Sequence, residues 1–159
     1  MTTQAMVAND FLGQRRIALV GVSRDPRDLS RTLFRELRGR GYDVVPVHPT
    51  LDSADGVPCA RRLQDVQPPV DGALLMTPPA ATEQVVRDCA EAGVARVWMH
   101  RGAGRGAVSP TAVAYCRDHG IAVVEGACPF MFLPEAGFVR RTHGFFARLF
   151  GRHPAKAAA

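Results

Sequence analysis

Arg16-Ile17-Ala18-Leu19-Val20-Gly21-Val22-Ser23-Arg24-Asp25-Pro26-Arg27-Asp28-Leu29-Ser30-Arg31 holds the strongest structural pattern in the chain. It opens with a short apolar run closed by a glycine, the signature of a buried strand. Val22 to Asp28 is turn-rich and holds Pro26. Helix signals begin at Ser30, where Leu29, Leu33, Phe34 and Leu37 share one apolar face, and Gly39 and Gly41 end it. A buried strand, a glycine turn and an amphipathic helix make the first half of a βαβ unit.

The same rhythm continues outward. Asp43 to Val47 predicts a second strand, stopped by His48-Pro49, and a loop then leads to a short helix over Ala60 to Val66. Val70 to Met76 predicts a third strand, halted by Thr77-Pro78-Pro79. A helix over Thr82 to Ala92 turns Val85, Val86 and Cys89 inward and closes at Gly93. A fourth strand, Ala95 to Met99, runs into the glycine-rich loop His100 to Gly106. A helix near Pro110 ends by Gly120, and Ile121 to Val124 is a fifth strand. Strands alternating with helices call for a parallel sheet covered on both faces. The expected fold is α/β: a single Rossmann-like, doubly wound parallel sheet of about five strands with helices on both faces. Residues 1–13 read as an N-terminal lead-in, 14–135 as the domain, and 136–159 as a basic, aromatic C-terminal extension.

Composition narrows the class. A chain of 159 residues with 47% hydrophobic and 22% charged residues suits one globular domain, not a disordered or coiled-coil chain. No apolar run approaches the ~20 residues that span a bilayer, and no secretory leader pattern precedes Asp10. A cytoplasmic location is expected. Cys59, Cys89, Cys116 and Cys128 form no CxxC pair and read as neither a disulfide framework nor a metal site. The net charge of +5 resides entirely beyond residue 135, in Arg140, Arg141, Arg148, Arg152 and Lys156. The high pI therefore describes the tail, and no nucleic-acid partner is expected.

In an open parallel sheet, ligands lie at the carboxyl ends of the strands. That rule selects the loop after Gly21, the end of the second strand at Val47-His48-Pro49, Thr77-Pro78, the loop from His100, and the segment reaching Cys128-Pro129. The first loop carries the clearest signal. Gly21 permits a close turn, Ser23 and Ser30 offer hydroxyls near a helix N-terminus, and Arg24, Arg27 and Arg31 add positive charge. The pattern predicts a phosphate-bearing ligand. It lacks G-x-G-x-x-G, an acid at the end of the second strand, and a P-loop lysine, which disfavours ordinary NAD and nucleoside triphosphates. A nucleophile elbow is also absent, because Asp25 stands where glycine is required after Ser23.

Gly21-x-Ser23-x-Asp25-Pro26, Ser30, the strand end Val44-Val45-Pro46-Val47-His48-Pro49, and Cys128-Pro129 resemble the small CoA-binding domain proteins. Those are single Rossmann-like domains similar to the CoA-binding domain of the succinyl-CoA synthetase alpha subunit. The resemblance spans about residues 14 to 130. It implies coenzyme A or an acyl-CoA as ligand, with the first loop at the pyrophosphate and the second and third strand ends flanking the adenosine. Gly21, Ser23, Arg24, Ser30, Val47, His48, Pro49, Thr77 and Pro78 would then surround it. Family members often carry Asn-Pro and a nearby lysine after the second strand, where this chain has His48-Pro49-Thr50-Leu51-Asp52, and Trp-x-Gln where it has Trp98-Met99-His100. Arg24, Arg27 or Arg31 would have to replace that lysine at the 3′-phosphate. No catalytic residues are assigned. The alternatives are an NAD(P)-dependent oxidoreductase with an atypical fingerprint, or a partner-binding protein with a vestigial nucleotide site.

Three narrower expectations follow. Gly21→Val should abolish CoA binding with the fold largely intact, and Arg24→Ala should cost on the order of 1.5–3 kcal/mol of affinity. Cys128 would stand ready for a mixed disulfide with CoA, against the simpler reading of a small apolar residue packed before Pro129. Phe138, Phe145 and Leu149 predict an amphipathic C-terminal helix with a basic opposite side. Its apolar face would be buried on its own sheet edge, in a homodimer contact or on an anionic membrane surface, with self-association preferred to the membrane.

Overall fold

The structure is a computed structural model that describes residues 3–102 and 106–134. The chain divides into two compact units, residues 1–128 and 129–159. The described part of the second is a single 3-10 turn over Pro129–Met131, with the Phe132 and Leu133 amides bonded to the Pro129 carbonyl. The expected C-terminal amphipathic helix and its dimer contact lie outside the described residues.

The first unit is built on β1 (Arg16–Val20), β2 (Asp43–Val47), β5 (Gly72–Leu75), β6 (Arg96–His100) and β7 (Ala122–Ala127). They form one parallel sheet in the order β2-β1-β5-β6-β7. Four helices accompany it among the described residues: α1 (Gln4–Leu12), α2 (Leu29–Gly39), α3 (Pro79–Glu91) and α4 (Pro110–Asp118). The chain steps outward from β1 to β2, then crosses back to β5 and proceeds the other way. Right-handed crossovers therefore place α2 on one face and α3 and α4 on the other. The topological switch point lies between β1 and β5.

Side-chain alternation separates two layers of core. Ala18, Val20, Ala73, Leu75, Val97 and Met99 pack with Val86 and Cys89 of α3 and Val113 and Cys116 of α4. On the opposite face Trp98 meets the ring of Phe11 edge-on, 5.5 Å between centroids, and donates its indole N–H to the Ala127 carbonyl at 2.8 Å. Within the segment expected as a lead-in, Gln4–Leu12 thus forms a packed helix. A Cβ on Gly72 would lie 2.7 Å from Phe11 Cε2, so that glycine makes room for the ring. Among the described residues no helix is long and apolar enough to cross a membrane.

Other boundaries moved for identifiable reasons. The expected helix over Ala60 to Val66 shrinks to a 3-10 turn, Leu63–Asp65, because Ala60 is taken by the outer edge of β2. Its amide donates to the Pro46 carbonyl and its carbonyl accepts from His48, both at 2.9 Å. The loop before it contains an unexpected hairpin, β3 (Ser53–Ala54) and β4 (Val57–Pro58), turning at Asp55 with φ 49° and Gly56 with φ 80°. β7 runs three residues beyond the expected Val124 because an irregularity at Met99/His100 lets His100 pair with Ala127.

Candidate ligand-binding site

The β1–α2 loop is the centre of the site. Gly21 adopts φ +94°, a conformation L side chains rarely take, and its amide donates to the Val47 carbonyl at 3.1 Å. A Cβ there would sit 2.8 Å from the Met76 carbonyl oxygen and 3.0 Å from Thr77 Cγ2. The glycine is therefore required by the chain's own packing against the end of β5. This corrects the expectation that Gly21→Val would spare the fold.

Downstream, the loop is braced by its own polar side chains. Asp28 caps α2 by accepting from the Ser30 amide at 2.8 Å, and Ser30 Oγ donates to the same carboxylate at 2.6 Å. Ser30 Oγ also accepts from the Ser23 amide at 2.9 Å, so its single proton and an acceptor position are already committed. Ser30 shapes the loop. Ser23 Oγ accepts from the Asp25 amide at 3.0 Å. The amides of Val22 and Arg24 have no acceptor among the described residues.

The three arginines separate by their partners. Arg27 is almost fully exposed and folds back on Asp25 at 3.2 Å, and that pairing holds the Asp25 carboxyl below its ordinary range. Arg31 is buried: it donates to the Ser23 carbonyl at 3.0 Å and to Asp55 at the tip of the hairpin. Arg35 joins the same carboxylate at 2.5 Å. Burial raises the Asp55 acid, but hydrogen bonds from the two arginines outweigh it and the net shift is downward. Arg24 remains exposed, bonded to the neutral Thr50 hydroxyl across the gap to the β2 end. It has no carboxylate partner among the described residues.

At the end of β2, His48 Nδ1 accepts from the amides of Thr50 at 3.0 Å and Leu51 at 2.9 Å. Arg61 reaches the Pro49 and Leu51 carbonyls at 3.3 and 3.2 Å and pairs with Asp52 at 2.6 Å, so the turn is held from both sides. After β5, the Thr77 and Thr82 hydroxyls lie 2.6 Å apart, with Thr82 buried beneath Pro78. The structure thus brings Gly21, Ser23 and Arg24 together with Val47, His48 and Pro49, and sets Thr77 beside Gly21. Pro78 follows as the exposed residue before α3. His100 and Cys128 stand at the ends of β6 and β7, beyond β5 in the sheet order. His100 is buried with Nε2 unpartnered, and Cys128 is a half-buried free thiol.

Asp28, Thr50, Asp55 and Arg61 were not singled out from sequence. The Asp55-Gly56 dipeptide is a hairpin signal, and Asp28 directly ahead of an apolar periodic run is an N-cap signal. Nothing local announces the partners of Thr50 or Arg61.

Both site histidines favour the neutral form. Burial pushes His48 below its ordinary 6.5, with Arg24 and Arg61 adding to the effect, and burial alone lowers His100. Well above pH 6.5 both histidines are neutral in the folded and the unfolded chain alike, and neither contributes to pH dependence. Below it the unfolded chain takes up protons first, so stability declines as pH falls from that value toward the folded pKa values. Differential scanning fluorimetry from pH 7.5 to 5.5 should show a falling Tm, with a shallower fall in His48→Asn. A flat Tm in that window would show that both rings titrate normally.

Comparison with known proteins places these features in a family context. Residues 15–134 match the family model described as a CoA binding domain. An uncharacterized protein, YneT, from Bacillus subtilis is 27% identical over 114 residues, covering 72% of this chain and 82% of that one. The alpha subunit of an ADP-forming acetate–CoA ligase II from Pyrococcus furiosus is 31% identical over 85 residues, covering 53% of this chain and 19% of the subunit. A hypothetical protein from Pyrococcus horikoshii OT3 superposes with a TM-score of 0.73 at 24% identity, covering 80% of this chain and 87% of that structure.

Proposed function

The chain belongs to the CoA binding domain family, and from that premise we propose that it binds coenzyme A or an acyl-CoA at the carboxyl ends of β1, β2 and β5. The observation that carries the reading is the β1–α2 loop. It turns on a positive-φ glycine at the switch point and, among the described residues, leaves the Val22 and Arg24 amides without acceptors and the exposed Arg24 without a carboxylate partner. Such a loop suits a pyrophosphate. The α2 terminus is already capped by Asp28, so the loop ahead of the helix receives the anion. The role proposed is binding without a reaction of the chain's own. Nδ1 of His48 is committed to two amides, and His100 bonds no hydroxyl or thiol among the described residues. The ligase relative is many times longer than the shared segment, and the CoA chemistry in its name supports the ligand class alone.

Thermal shift with CoA, acetyl-CoA, NAD and NADP tests the reading. A ligand at 100 times its Kd should stabilise the fold by about 2.7 kcal/mol. Stabilisation by CoA or acetyl-CoA is expected, and stabilisation by NAD but not CoA would overturn the proposal.

A further inference from the structure

We propose that the side-chain amide of Gln4 is a plug on the outer edge of β7, and that it keeps this edge from pairing with the β7 of a second copy of the chain.

β7 is the last strand of the sheet, so one row of its backbone groups has no strand partner among the described residues. Ala122 donates its amide inward to the Ala95 carbonyl at 3.0 Å. Alternation along a parallel strand then turns the N–H and C=O of Val123 and Glu125 outward. At Glu125 one side chain takes both groups. The Glu125 amide donates to Gln4 Oε1 at 3.1 Å, and Gln4 Nε2 donates to the Glu125 carbonyl at 3.2 Å. A primary amide presents a donor and an acceptor together, as a strand residue does, so Gln4 stands in for the missing neighbour strand. Gln4 is itself exposed, in the first turn of α1. The far end of that helix is pinned separately, by Phe11 against Trp98 and by Asp10 to Arg96 at 2.7 Å.

The edge has little other protection. Ala122-Val123-Val124 carries no charge, and the Glu125 carboxylate beside it is paired with Arg117 of α4. Gly126, at φ 83°, is skipped in the pairing with β6 and bulges out, which confines the regular edge to Ala122–Glu125. The opposite edge of the sheet is blunted by backbone. Pro46 has no N–H to offer there, and Ala60 engages the Pro46 carbonyl and the His48 amide.

The occupant that fits the bare edge is a second β7, because the edge is self-complementary. About a two-fold axis at Val124, Val123 of one copy faces Glu125 of the other, and each such pair exchanges both N–H···O bonds. That register joins the two five-stranded sheets and uses the very groups that Gln4 holds. With the axis at Val123 instead, Gln4 can stay in place, but only a single such pair forms.

Sedimentation velocity and hydrogen exchange on the full chain test the plug. Gln4→Ala should self-associate with a dissociation constant about tenfold or more below the wild type's, because pairing no longer breaks two hydrogen bonds in each copy. Gln4 is exposed and alanine favours the helix, so the variant should fold. In dilute solution its Glu125 amide should exchange faster than in the wild type. As concentration rises, the Val123 and Glu125 amides should both become protected. Adding Val123→Pro removes an outward N–H at an edge, where proline is tolerated, and should restore wild-type sedimentation. Wild-type sedimentation of Gln4→Ala at every concentration overturns the proposal. So does an association that leaves the Val123 amide unprotected, or one that survives Val123→Pro.

Discussion

Gly21→Val is expected to lower stability by about 3–5 kcal/mol, the largest effect of any single change at the site. Two costs add. A β-branched residue is forced to φ +94°, and its Cβ arrives 2.8 Å from the Met76 carbonyl oxygen, which is backbone and cannot swing aside. Relieving that contact means separating β1 from β5 at the switch point, where the Met76 amide donates to the Val20 carbonyl at 2.8 Å. Urea denaturation should show a much lower midpoint, and loss of ligand binding would follow from the damaged fold. Gly21→Ala should show the same direction with a smaller magnitude. A Val variant with a wild-type midpoint would mean that the loop can move away from β5 at little cost.

Asp55→Ala should be the next most damaging change, at about 2–3 kcal/mol. Removing one partner of a buried ion pair typically costs about 3–5 kcal/mol, because the remaining charge is left uncompensated. The Arg31 side chain is only 8% exposed, but Asp55 is 21% exposed and partly screened by solvent, which brings the expectation down to about 2–3 kcal/mol, at or below the bottom of that range. The consequence reaches the ligand loop. Arg31 holds the Ser23 carbonyl through Nη1 while Asp55 holds its Nη2, so releasing the carboxylate loosens the segment that carries the Val22 and Arg24 amides. Weaker CoA binding should accompany the loss of stability. Asp55→Asn keeps an acceptor but not the charge, and should fall between the wild type and Ala. The measurements are a urea midpoint and a CoA titration on the same preparations. A stable Asp55→Ala protein with unaltered affinity would remove the hairpin from any role at the site.

Much of this architecture could be read along the chain because its causes are local. The apolar run ending at Gly21, the helix face of Leu33, Phe34 and Leu37, and the stop at His48-Pro49 depend on neighbours within a few residues. The β3–β4 hairpin escaped notice although Asp55-Gly56 announces such a turn, because its strands are only two residues each and carry no periodicity. The short helix expected at Ala60 failed for a different reason. The outer edge of β2 competes for the Ala60 backbone and wins it. Phe11 shows the same limit at the N-terminus. Its burial depends on Gly72 and Trp98, which are far along the chain and are aligned with each other only once the sheet has formed.

The parallel α/β sheet, its switch-point loop and the residues at the carboxyl edge follow from strand and helix periodicity, since right-handed crossovers leave few other arrangements. What each of those residues is free to do depends on contacts made only in the folded chain. Ser30 and Arg31 became internal braces because Asp28 and Asp55 reach them first, and Arg27 was taken by Asp25. Arg24 was left facing a neutral hydroxyl, and His48 was fixed as a donor by two amides of its own turn. Residue type and position follow from local chemistry. Availability depends on which partner arrives in space, and Asp55 reaches Arg31 from 24 residues away while Met76, just past the end of β5, meets Gly21.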